Sequence, residues 1–330
     1  MRLLAIIALV VVLLVVLGAL LPTRTQGLGP RPNPARSYEQ AITRVAHQQS
    51  SDDSVVATGG GSILLAHGHR TPRAVVLLHG YTNSPRQFEA FAHRLYDAGD
   101  NVYVPRLPRH GERNGTAKTF GGLTAEELRD CADSAVDVAE GLGDSVVTAG
   151  LSAGGTMVAW IAQERAVHRA VVIAPVFELS RVPTLLAEPL MNLALRTPNI
   201  AWNETPDITE PDRELGVSTR AIAQLLRLGW AVRQAAKGHA PRTRDIAVLV
   251  NAHDRTVSTR RAVELARFWS RPGVSVDVYQ LPDSLGLRHD IIDPRQRWAK
   301  PDVVYPILEA LIRGEPLTAA LPVRQLLHHQ

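Results

Sequence analysis

The segment Gly150-Leu151-Ser152-Ala153-Gly154 constrains the fold of this chain more than any other. It joins an apolar run, Ser145 to Ala149, to a helical pattern opening at Ala153-Gly154-Gly155-Thr156-Met157-Val158. A Gly-x-Ser-x-Gly between a strand and a helix is a nucleophile elbow. The turn is so tight that the residues two positions either side of the serine cannot carry side chains, and the hydroxyl stands clear of the sheet. The helix that follows brings its first amides and the positive end of its dipole close to that hydroxyl, where an oxyanion forms in acyl transfer. Ser152 is the candidate nucleophile, and the Ala153 amide a candidate oxyanion donor.

Three other segments supply what a nucleophilic serine needs. Ala74 to Leu78 is an apolar strand running into His79-Gly80-Tyr81-Thr82, followed by a helical pattern from Pro85 to Ala98. This pattern places the backbone N–H of Tyr81 as the second oxyanion donor, with the His79 side chain structural. Asp245 to Val250 reads as a buried strand whose end carries Asp254, where a carboxylate can orient an imidazole. Ser275 to Leu281 alternates as a strand, and the loop after it carries Gly286-Leu287-Arg288-His289-Asp290. His289 is the candidate base. The order Ser152, Asp254, His289 is the order the elbow predicts. Asp283 and Asp290 compete for the role of acid but lie on the histidine's own loop.

Together HGYTNSP, GLSAGG, NAHDRTV and GLRHD resemble the α/β-hydrolase superfamily, and within it the serine esterases and monoacylglycerol lipases, over about residues 55 to 315. The resemblance implies a cofactor-free, metal-free serine hydrolase that cleaves carboxylic esters with short, medium or monoacylglycerol-like acyl groups, through an acyl-enzyme. Where lipases carry HGGG, this chain has His79-Gly80-Tyr81-Thr82, closer to the esterase and monoglyceride-lipase form. An aminopeptidase-type serine peptidase on the same fold is the competing enzyme reading. It needs a carboxylate patch for the substrate amine, for which Glu204 to Glu214 is the candidate. A catalytically inactive fold used as a binding module is the reading from outside enzymes.

Strand patterns alternating with helical ones predict an α/β fold, a mostly parallel central sheet with helices on both faces. Residues 176 to about 240 are too many for one crossover and read as an inserted helical cap. Its apolar stripes, Leu185, Leu186, Pro189, Leu190, Leu193 and Leu195, then Ile222, Leu225, Leu226 and Trp230, are expected mostly to pack on the main domain. Those over Ser152 are expected to line an acyl pocket.

Leu3 to Leu21 carries no charge and is long enough as a helix to span a bilayer. It lacks a clean small-x-small cleavage site, which favours a retained transmembrane anchor over a cleaved signal. A very short N-terminus ahead of a first span places the hydrolase domain outside the cytoplasm. Residues 25–54 read as a stiff Pro-rich spacer and a short helix capped by Ser37 and Gln40, and 316–330 as a tail. Lys118, Lys237 and Lys300 are the only lysines, and the formal net charge of +4 has no basic cluster or aromatic interleaving, which excludes a nucleic-acid partner. Cys131 stands alone, so no internal disulfide forms. His67-Gly68-His69 and His328-His329 lack the spacing of a zinc site.

Overall fold

The computed structural model describes residues 4, 6, 9, 13, 16–52, 54–113, 115–203, 216–317 and 323–329. The chain first folds α1 (Tyr38–Asp52) and the strands β1 (Ile63–Leu65) and β2 (Thr71–Leu78). A 3₁₀ turn at Pro85–Phe88 leads into α2 (Glu89–Asp97), then β3 (Asn101–Val104), α3 (Ala117–Phe120) and α4 (Ala125–Leu142). Strand β4 (Gly143–Leu151) passes through Ser152 into α5 (Ala153–Glu164), and β5 (Arg169–Ile173) follows. The next piece holds α6 (Thr184–Arg196), β6 (Ala201–Asn203), β7 (Gly216–Ser218) and α7 (Thr219–Gly238). The remainder builds β8 (Asp245–Asn251), α8 (Thr259–Trp269), β9 (Ser275–Leu281), α9 (Pro301–Arg313) and β10 (Arg324–His329).

Among the described residues eight strands form one sheet in the order β1-β3-β2-β4-β5-β8-β9-β10. From β3 to β9 all pairs are parallel, while β1 and β10 add antiparallel edges. Parallel strands are covered on both faces, so they read as unbroken apolar runs rather than alternating ones. Val75 to Leu78, Val171 to Ile173 and Ile246 to Val250 are accordingly all buried. Helices α4, α5 and α8 pack on one face, where the Trp269 indole N–H of α8 donates to the Gln163 amide oxygen of α5 at 2.8 Å. On the other face α2 meets α9 through Phe91 and Tyr305, with ring centroids 5.1 Å apart. Every parallel strand therefore ends at the same edge of the sheet. That is where open α/β sheets bind ligands.

Two expectations are corrected. The tail at 316–330 is not a free end: Arg324–His329 pairs with β9 as an edge strand, and His328 reaches Asp277 at 2.6 Å. Its polar sequence hid it, because an edge strand needs backbone pairing more than apolar side chains. The Pro-rich stretch before α1 is not a free spacer either. Leu28 and Ala35 are buried, the Trp160 indole N–H donates to the Leu28 carbonyl at 2.8 Å, and the Asn33 amide donates to Asp137 at 2.9 Å. Prolines donate no backbone hydrogen bonds, so such a segment lies flat on helix surfaces and borrows partners from their side chains. The start of α1 is as expected, with the Gln40 amide donating to Ser37 Oγ at 3.2 Å and Gln40 Oε1 accepting from the Arg36 amide at 2.7 Å.

Among the described residues no helix is long and apolar enough to cross a membrane. The expected transmembrane helix at 3–21 lies largely outside them. Its described residues 4, 6, 9, 13 and 16–20 are helical, and Asn192 of α6 donates to the Ala19 carbonyl at 3.0 Å.

The cap expectation is partly corrected as well. Helices α6 and α7 and the short β6–β7 ribbon do form an insertion between β5 and β8. Three leucines of α6, however, do not pack inward: Leu185 is 89% exposed, and Leu186 and Leu190 are also exposed, while Leu193 and Leu195 are half-buried. Only Met191 and Asn192 of that helix are buried. Helix α7 behaves as expected, with Leu225 and Leu228 buried.

Candidate active site

Ser152 sits at φ 60 and ψ −113, a strained backbone for a residue with a Cβ. The glycines around it explain how the turn closes. A Cβ on Gly154 would collide with the Leu78 carbonyl, and one on Gly150 would meet the Gly154 carbonyl. The Ser152 amide donates to Ile173 at 3.0 Å and the Gly154 amide to His79 at 3.0 Å, which pins the elbow between β2 and β5. Thr82, at φ 61, carries the same strain and lies on the same cavity as Ser152.

The acid and base expected from sequence meet. Asp254 Oδ2 lies 2.7 Å from His289 Nδ1, and the Asp254 side chain is 1% exposed. Its other oxygen, Oδ1, accepts from the Thr256 and Val257 amides at 2.8 and 3.2 Å. The competing acids are occupied elsewhere. Asp283 faces His253 at 2.5 Å, while Asp290 accepts from Gln87 Nε2 at 2.7 Å. His289 Nε2 is buried and has no hydrogen-bond partner among the described residues. In apo enzymes the bond from nucleophile to base is often open and closes only when substrate arrives.

The loop after β2 lies against Ser152, whose Cβ is 3.5 Å from where Gly80 would carry one. The Gly80 amide is spent on Gln87 Oε1 at 2.8 Å. Tyr81, next along, lines the cavity, and Ala153 is the first residue of α5, where an amide has no intrahelical acceptor. Ser152, His289 and Tyr81 share a cavity of about 640 Å³, which Val176, Leu179, Val217, Ile222 and Leu225 also line.

Over residues 75–300, more than half of the chain, the sequence matches the model of the Alpha/beta hydrolase family. The chain belongs to this family. Solved structures of similar fold include a monoacylglycerol lipase from Paleococcus ferrophilus, at 20% identity and TM-score 0.56, covering 76% of this chain and 98% of that one. A soluble variant of monoglyceride lipase from Saccharomyces cerevisiae, bound to a substrate analog, matches at 13% identity and TM-score 0.58, over 78% of this chain and 91% of that one. A structure described with the metagenome-derived lipolytic enzymes LipS and LipT matches at 17% identity and TM-score 0.56, over 79% of this chain and 100% of that one. No curated protein matches the sequence.

In this hydrolase, sequence reasoning missed the groups that hold the site loops to one another. Gln87 bridges the loop after β2 to the histidine loop, because its Oε1 takes the Gly80 amide while its Nε2 donates to Asp290. Asn251, at the end of β8, donates through Nδ2 to the Leu287 and Arg288 carbonyls, both at 2.8 Å, and so seats the backbone just before His289. Neither residue carries a local signal, since a lone Gln or Asn in a loop gains its meaning only from a partner far along the chain. Burial raises the pKa of Asp290. Among the described residues no group of His, Cys, Asp and Glu could hold a metal.

Two buried histidines brace the same loop. His79 Nδ1 contacts the Gly80 carbonyl at 3.0 Å, and its Nε2 accepts from the Leu107 amide at 3.1 Å, a pattern only the neutral ring satisfies. His110 contacts the Pro108 carbonyl through Nδ1 at 2.8 Å and packs edge-on against Tyr81 and Phe120. Burial lowers its pKa to about 4, and that of His79 well below the ordinary value. A histidine lowered in the folded state binds its proton first when unfolded. The stability it contributes is complete above about pH 6.5 and is lost as pH falls toward 4. For His110 the loss is on the order of 3 kcal/mol. Urea unfolding at neutral pH and near pH 4.5 should therefore show a smaller drop in His110→Gln than in wild type. An equal drop would remove His110 as a source of the acid sensitivity.

Proposed function

We propose that this hydrolase cleaves carboxylic esters with a single short, medium or monoacylglycerol-like acyl chain, with Ser152 as nucleophile, His289 as general base and Asp254 as its orienting acid. The observation that carries the reading is the Asp254–His289 pair at 2.7 Å opening on the same cavity as a serine held in strained elbow geometry. His289 takes the Ser152 proton as the hydroxyl attacks the acyl carbon. The Tyr81 and Ala153 amides stabilise the oxyanion, and His289 returns the proton to the leaving alcohol. Water, activated by the same histidine, then releases the acid and restores the serine. The apolar wall from Val217, Ile222 and Leu225 suits an acyl chain.

The peptidase reading finds less support. Among the described residues the only carboxylate lining the cavity is Asp290, already bonded to Gln87, and Glu204 to Glu214 lie outside the described residues. The uncharged run from Leu3 to Leu21 supports retention at a membrane with the hydrolase domain outside the cytoplasm. One assay addresses both points: p-nitrophenyl esters of increasing chain length, beside an aminoacyl anilide, on the membrane and soluble fractions of expressing cells. Ester hydrolysis confined to the membrane fraction is expected. Faster turnover of the anilide would replace esterase by peptidase, and activity in the soluble fraction would remove the anchor.

A further inference from the structure

We infer that the leaving alcohol of the substrate carries an anionic group, a carboxylate or a phosphate, held by Arg181, Arg255 and Arg288. This rests on the ester-hydrolase reading above and names the class of ester. All three arginines line the cavity that holds Ser152 and His289. Arg255 directly follows Asp254, and Arg288 directly precedes His289. Arg181 arrives from the loop after β5, which is zipped to the Arg255 loop. Leu179 bridges Val257, the Ser180 amide donates to the Thr256 carbonyl at 3.0 Å, and the Ser180 hydroxyl bonds the Arg255 carbonyl. The Arg288 guanidinium is seated over the Trp298 ring, 4.7 Å from its centroid.

Among its described residues the charge of this wall is unbalanced. Among the described residues none of the three guanidiniums is paired with a carboxylate, whereas the nearby acids are engaged: Asp254 with His289, Asp283 with His253, Asp290 with Gln87. Unpaired like charges in a concave site focus a field that attracts the opposite charge. The side on which they act follows from the chemistry. The base that takes the serine proton returns it to the leaving alkoxide, so the alcohol half of the ester lies toward His289. Arg255 and Arg288 flank the acid and base there, while the apolar residues of β7 and α7 are left for the acyl half. A guanidinium fork gives a carboxylate or phosphate two parallel hydrogen bonds, which an uncharged glycerol cannot match.

The test compares kcat/KM within two pairs that share an acyl chain: para-butanoyloxybenzoate against para-butanoyloxybenzamide, and octanoylglycerol phosphate against octanoylglycerol. At low salt the anionic member of at least one pair should be preferred by about tenfold or more, and which pair shows it separates carboxylate from phosphate. The preference should shrink in high salt. It should fall toward unity when Arg181, Arg255 and Arg288 are all changed to Gln, and persist in part when all three are changed to Lys. Because the three side chains are exposed, the fold should tolerate both sets, and the single change Arg288→Gln should show a fraction of the loss. Preference for the neutral member of both pairs, or a preference that survives the Gln changes, would overturn the inference. Failure of the wild type to cleave any of the four esters would overturn the ester-hydrolase reading and this inference with it.

Discussion

Ser152→Ala is expected to abolish ester turnover, by a factor on the order of 10⁶ in kcat, and to abolish labelling by a fluorophosphonate. The fold should survive. Alanine keeps the Cβ and therefore the same strained backbone, and the bonds that pin the elbow are made by main-chain atoms, the Ser152 amide to Ile173 and the Gly154 amide to His79. The variant should thus unfold at nearly the wild-type temperature, which separates lost chemistry from lost structure. A folded variant with wild-type turnover would move the nucleophile away from the elbow.

Asp254→Asn should lower kcat by about 10⁴ with little change in KM. The structure supplies the reason. Oδ1 of Asp254 accepts two backbone amides, from Thr256 and Val257, so in the variant the amide oxygen must stay there. The NH₂ group then occupies the place of Oδ2 and points a donor at His289 Nδ1. That ring nitrogen must give up its hydrogen, the proton moves to Nε2, and the imidazole can no longer accept from Ser152. Asp290→Asn should cost less than tenfold in kcat, because Asp290 bonds Gln87, Asn83 and two backbone amides but not the His289 ring. Kinetics of the two variants side by side decide the matter. The reverse ranking would transfer the orienting role to Asp290.

Much of this site is written in short stretches of chain. The elbow at Ser152 is legible because its constraint is local: glycines must stand where a Cβ would strike Leu78 or the elbow's own backbone. The parallel core is legible because strands buried on both faces tolerate only apolar side chains, as in Val75 to Leu78 and Ile246 to Val250. The order of serine, acid and histidine follows from strand order, so Asp254 and His289 could be singled out before any contact was known. Groups that act across the fold leave no such trace. Gln87 matters because β2 and the histidine loop approach it from opposite sides, and Asn251 because it reaches the carbonyls before His289. Arg181 and Arg255 reach one cavity because the Leu179–Val257 bridge and the bonds of Ser180 to Thr256 and Arg255 zip their loops together. The edge strand β10 and the packed proline segment at Leu28 to Ala35 are hidden in the sequence for a related reason, since their stability comes from backbone bonds to β9 and to helix side chains rather than from a pattern of their own. A residue's neighbours along the chain are set by covalent bonds and read directly. Its neighbours in space are set by how the sheet brings distant loops to one edge, and only the folded molecule shows them.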